Sequence, residues 1–165
     1  MSRAFVKEND DQATELPERP QSPHPNFVTS HGLDLLKQQE EQLEEHRSRL
    51  MADEQLLDKE QQLVVERDLR YVQERIAKAI VVDVDAQPRD SVDFGAIVDT
   101  VDENDEKRHF QIVGEDEADP TAGKLSWVSP FALALKDAKV GDVVIWKRPI
   151  GNLELEVTRI TYPKG

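Results

Sequence analysis

The sequence contains no cysteine. A disulfide framework, a thiolate metal site and a thiol nucleophile are therefore excluded, and the chain fits a reducing compartment. Long apolar runs are missing as well. No stretch approaches the roughly 18 consecutive apolar residues of a membrane-spanning helix, and the first ten residues lack the apolar core of a signal peptide. A soluble, cytoplasmic, likewise membrane-free protein is the expectation. Positive charge is scarce: 21 Lys and Arg stand against 34 Asp and Glu, a net charge of −13. Residues 1–30, 31–82 and 83–165 are each net acidic. Such a chain has no basic footprint for a phosphate backbone, so direct sequence-specific nucleic-acid binding is not expected. It can still work beside nucleic acid by docking on a basic protein partner. Enzyme signatures are absent too, with no Gly-rich phosphate loop, dinucleotide fingerprint or His-x-x-x-His pair. The four histidines, His24, His31, His46 and His109, are scattered without a second ligand at metal spacing.

What is present divides into three parts. Residues 1–28 read as a flexible Pro-rich leader. Arg19-Pro20-Gln21-Ser22-Pro23-His24-Pro25 has the composition of an extended polyproline strap, either free or packed along the domain that follows. Residues 29–82 read as helical. Thr29 or Ser30 can cap, and Leu33, Leu36, Leu43 and Leu50 recur at heptad-compatible spacing, with Glu40 and Arg47 where further leucines would stand. A second seam runs through Val65, Leu69, Val72, Ile76 and Ala79 in 4-3-4-3 steps. No Pro or Gly lies between Gly32 and Ile80, so one helix of about 50 residues, spanning roughly 75 Å, is the alternative. It would need a dimer partner to cover its stripe. The thin seam suits an antiparallel hairpin bending near residues 51–58, in a monomer.

Residues 83–165 read as β-rich. The expected elements are short strands at 80–84, 96–101, 108–113, 125–128, 143–146 and 153–160, with a helix at Pro130–Leu135. Asp102 to Glu106 forms an acidic hairpin turn. Together these make an antiparallel sheet with one short helix, an α+β unit. Two sets of residues invite a functional reading. Asp53, Glu54 and Asp58 cluster at the expected hairpin tip, where carboxylates could share a Mg²⁺ with a partner or simply solvate a turn. Phe131 follows Ser129-Pro130 at the helix start and could belong to the core or to an exposed contact.

Phe94-Gly95-Ala96, the run Phe110 to Pro120, Gly123-Lys124-Leu125-Ser126, Ser129 to Leu135, Val140 to Val144 and Pro149-Ile150-Gly151 occur in unbroken order across residues 92–162. In these segments the chain resembles the C-terminal domain of the GreA/GreB family of bacterial transcript cleavage and elongation factors. The resemblance implies an FKBP-like antiparallel β domain that docks on RNA polymerase at the rim of the secondary channel. The implied polymerase-binding residues are Ser129, Pro130, Phe131, Ala132 and Leu135, with Ala134 in the same segment; Val128 stands where the family often has a polar residue. Val28-Thr29-Ser30-His31-Gly32-Leu33 resembles the family's Val-Thr-x-x-Gly helix start. The tip departs from the family. Cleavage-active members carry Gly-Asp-x-x-Glu-Asn-Ala-[Glu/Asp]-Tyr, whose acids help hold a second Mg²⁺ in the polymerase active site, and no such run exists here. The hairpin is also shorter by around 15 residues, or roughly 11 Å of reach.

The expectation is therefore a transcription elongation regulator, not itself an enzyme, that occupies the secondary channel without donating a metal ion. Its rivals are an active cleavage factor using Asp53, Glu54 or Asp58, and an FKBP-like peptidyl-prolyl isomerase. The scarcity of aromatics, 5% of residues, weighs against the isomerase.

Overall fold

The computed structural model describes residues 16–52 and 59–164. The described residues divide into two compact units, 16–24 with 36–52 and 59–78, and 25–35 with 79–164.

The first unit is helical. Helix α1 spans Ser30–Ala52 and helix α2 spans Lys59–Ala77, lengths of about 34 and 28 Å at 1.5 Å per residue. The less exposed stripe of α1 runs through Leu33, Leu36, Glu40, Leu43, Arg47 and Leu50, so Glu40 and Arg47 do occupy the seam positions their spacing assigns. On α2 the buried residues are Val65, Leu69, Val72 and Arg75. Ile76, expected in the seam, is only half-buried while its neighbour Arg75 is buried.

Two short strands decide between hairpin and single helix. Strand β1 (Phe27–Val28) precedes α1 and strand β2 (Ile80–Val81) follows α2, and they pair in parallel, Phe27 opposite Ile80 and Val28 opposite Val81. A continuous helix would hold those ends roughly 70 Å apart. The helices are therefore the arms of a hairpin, and the long-helix alternative is ruled out. Ile80 N–H donates to the Asn26 carbonyl at 2.9 Å and Val82 N–H to that of Val28 at 3.1 Å, extending the pairing at both ends.

The hairpin starts on a built cap. Thr29 Oγ1 accepts from Gly32 N–H at 2.9 Å and donates to Oε1 of the buried Glu117, whose other oxygen lies 3.4 Å from Lys124 Nζ. A Cβ on Gly32 would come within 2.7 Å of that Glu117 oxygen, so a larger residue there would displace the carboxylate from the cap. Gly114 is similarly constrained: a Cβ would sit 2.5 Å from the backbone oxygen of Phe27, where β1 crosses.

The second unit carries a five-stranded sheet in the order β5-β4-β3-β7-β6, comprising β3 (Ile97–Asp102), β4 (Lys107–Val113), β5 (Lys124–Ser126), β6 (Val143–Trp146) and β7 (Leu153–Thr161). Helix α3 (Pro130–Leu135) packs on it. The pairings are antiparallel except β4 with β5, which are parallel because the Gly114–Gly123 loop carries the chain back before β5 begins. The expected strand at 80–84 is interrupted after Val81, because the Asp83 carboxylate caps a 3₁₀ turn at Val84–Ala86. The alternation of β7 holds for the buried Leu153, Leu155 and Val157 and then breaks. Strict period two would turn Arg159 inward. A bulge at Thr158 restores the phase, so that Ile160 instead faces Val98 and packs on the core.

The β3–β4 turn is held by Asp102. Its Oδ1 accepts from Asn104 and Glu106 N–H at 2.8 and 3.0 Å, and its Oδ2 accepts from Arg108 Nη1 at 2.7 Å. The Arg108 bond, followed by the backbone donors, holds the Asp102 carboxyl below its usual range.

Two outcomes follow from this architecture. Gly114→Ala forces backbone against backbone at β1 and is expected to lower unfolding stability by about 1–3 kcal/mol, read by chemical denaturation. Asp102 is depressed in the folded state, so its stabilising effect is present above the unfolded carboxylate pKa of about 3.9 and lost as pH falls through the lower folded value. Asp102→Asn is therefore expected to lower the melting temperature at pH 7, with the gap to the parent chain closing as pH falls below the ordinary carboxylate range.

Candidate functional site

The segment from Ser129 to Leu135 is positioned by its ends. Ser129, in an extended conformation, caps α3 with its Oγ accepting from Ala132 N–H at 3.3 Å. Pro130 follows at the first helical position, where its missing N–H leaves no donor unmet. At the other end Asp137 takes a left-handed conformation (φ 67°) and its N–H donates to the Val92 carbonyl at 2.8 Å. Val92 N–H in turn donates to the Ala138 carbonyl at 2.9 Å. A helix of six residues is thereby fixed at both termini.

The five residues predicted to bind a partner separate into two groups. Phe131, Ala132 and Leu135 point into the core, at 7%, 4% and 0% exposure. Phe131 stacks on Trp146, with centroids 4.7 Å apart and planes 14° from parallel, and meets Phe110 edge-on at 5.1 Å. Of the two readings of Phe131, the structure supports core packing over an exposed contact. Alternate burial around one helical turn is the cause: with Pro130 outward at the first position, the next two residues face the sheet. Ser129 is half-buried in its capping role, and Pro130 is exposed. Leu133 and Ala134 are exposed as well, Leu133 at 55%. Leu133 was not singled out from sequence, although its i+2 spacing from a core aromatic was the available signal.

Beside Leu133 lies a cavity of about 260 Å³, lined among others by Phe27, Phe94, Ile112, Trp127, Leu133 and Lys136. Phe27 meets Trp127 edge-on at 5.0 Å and lies 6.2 Å from Phe94. This lining is more aromatic than the composition suggests, because β1 brings Phe27 across from the far side of the helical segment. Asp93 and Lys136 supply its charged residues.

The tip candidates Asp53, Glu54 and Asp58 lie outside the described residues. Among the described residues, no group of three or more His, Asp or Glu side chains is placed to hold a metal ion. Nor, among them, is any helix long and apolar enough to cross a membrane. His109, a strand residue as expected, pairs through Nδ1 with Asp99 on the exposed side of the sheet.

The family model described as "Transcription elongation factor, GreA/GreB, C-term" matches residues 87–162. The chain is 38% identical over 105 residues to transcription elongation factor GreA of Phenylobacterium zucineum, covering 63% of this chain and 67% of the relative. It is 41% identical over 106 residues to GreA of Pseudomonas aeruginosa, with the same coverage. A solved structure, the GreA/GreB elongation factor from Nitrosomonas europaea, aligns over 82% of this chain and 98% of that one at 23% identity and a TM-score of 0.43. On the strength of the sequence relatives, the chain belongs to the GreA/GreB family of transcription elongation factors.

Proposed function

We propose that this chain binds RNA polymerase through its β domain and inserts its helical hairpin into the secondary channel, modulating elongation or initiation without donating a catalytic Mg²⁺. The observation that carries the docking half is the division of helix α3. Its buried residues lock it to the sheet, and Pro130, Leu133 and Ala134 form an exposed apolar ridge at the lip of the aromatic cavity. A small ridge that is rigid before binding loses little conformational freedom on docking. The net charge of −13 suits a basic rim on the partner and keeps the chain off bare nucleic acid.

The absence of metal donation rests on the tip sequence. Mg²⁺ demands ligand oxygens near 2.0–2.1 Å in octahedral geometry. Asp53 and Glu54 are adjacent in sequence, without the i, i+3 spacing and the Glu-Asn-Ala run of cleavage-active tips. Arms of 23 and 19 residues give about 34 and 28 Å of helix, less than the longer hairpins of the cleavage-active pattern.

One other reading has an observation in its favour. The cavity's three aromatics invite a prolyl isomerase. Its volume of about 260 Å³ falls below the 300–1,000 Å³ usual for ligand pockets, and Lys136 and Asp93 charge it. No turnover of a proline-containing peptide is expected.

A backtracked elongation complex tests the leading reading. The chain is expected to bind it without accelerating transcript cleavage and to slow cleavage by an added cleavage-active relative. Leu133→Asp is expected to weaken binding about tenfold or more with little loss of stability, since the side chain is already exposed. Rapid cleavage that disappears on Asp53→Ala/Glu54→Ala would establish the active-factor alternative instead.

A further inference from the structure

Charged residues occupy the helical seam at Glu40, Arg47 and Arg75, where a hairpin of this length would ordinarily bury apolar side chains. A short pair with so thin a seam is marginal by itself. The leader supplies contacts to the second helix of this pair, α2. Between Glu18 and Gln21 three successive tethers converge on one turn of α2. The Arg19 guanidinium lies 3.8 Å over the Tyr71 ring, with Nη1 3.4 Å from Asp68 Oδ1. The Glu18 carboxylate accepts from both Nε and Nη2 of Arg70. Gln21 Nε2 donates to the Tyr71 carbonyl at 3.4 Å. Asp68 is held for this contact by Arg67, whose Nη2 donates to the same Oδ1 at 3.1 Å.

We propose that the described leader, residues 16–24, is a clasp on helix α2 that braces this arm of the hairpin from outside, adding polar contacts to an arm whose seam carries charged residues. The prolines make this economical in entropy. Pro17, Pro20 and Pro23 restrict the unbound leader to extended conformations, so docking it orders little that was free. Single exposed ion pairs contribute little; here a bidentate pair, a cation–π contact and a main-chain hydrogen bond act on one turn. The clasp is predominantly electrostatic and so is weakened by salt. The proposal rests on reading the hairpin as the working arm, but its test reads the arm directly and involves no polymerase.

Hydrogen exchange of the full chain provides that test. In Glu18→Ala/Arg19→Ala, amides of α2 from residue 66 to 76 are expected to exchange about three- to tenfold faster, while those of β3 and β7 keep their rates. Tyr71→Leu, altering the opposite side of the contact, is expected to reproduce the pattern, and 0.5 M NaCl to reproduce it in the parent chain. Unchanged α2 exchange in both variants would overturn the clasp. So would equal acceleration in β3 and β7, which would mark general destabilisation.

Discussion

Everything in this molecule depends on the chain returning to the place it left. Between Val28 and Ile80 it makes two helical arms, and closing so long an excursion costs conformational entropy that grows with the logarithm of its length. The closure is held by a few contacts of definite geometry. Phe27 and Val28 pair with Ile80 and Val81, and Thr29 ties the first helical turn to the buried Glu117. A Cβ at Gly114 would collide with the Phe27 backbone in this knot, and one at Gly32 would push the Glu117 carboxylate aside. Removing one polar partner would leave Glu117 as a buried carboxylate with less to satisfy it, which is costlier than losing an exposed contact.

The sheet gives the second condition, rigidity next to an exposed apolar ridge. Phe110, Phe131 and Trp146 form a compact aromatic group under helix α3, with centroid distances of 4.7–5.8 Å. Leu135 and Leu155 are completely buried nearby. Six residues would not make a stable helix in isolation. Here both ends are fixed and one face is packed, so Leu133 is presented in a single orientation. Phe131, Ala132 and Leu135, packed on the sheet, thereby determine which side chains of α3 face outward.

Local chemistry made much of this legible in the sequence. The Ser129-Pro130 helix start, the acidic β3–β4 turn and the strands at Val143–Trp146 and Leu153–Thr161 each carry their own signal in capping, turn or alternation preferences. What stayed hidden depends on residues distant in the chain. Phe27-Val28 is too short to announce a strand, and its partner lies more than fifty residues away. The Thr158 bulge is invisible because period two reads cleanly until the sheet requires Ile160 to face inward. Arg75 occupies a buried site one residue from the apolar Ile76 that the heptad selects. The candidate site was legible in part for the same reason. The segment could be found, but the separation of Pro130 and Leu133 from the buried Phe131 needed the packing of the sheet.

A channel-occupying factor and a metal-donating one share the docking face and differ at the hairpin's end. The most direct measurement is a structure of this chain bound to a backtracked RNA polymerase, read at the distance between the carboxylates of residues 53–58 and the catalytic Mg²⁺. The expected result is a helical hairpin lying in the channel with no tip carboxylate in contact with the metal. An Asp53 or Glu54 oxygen at a ligand distance of about 2.0–2.1 Å would contradict it.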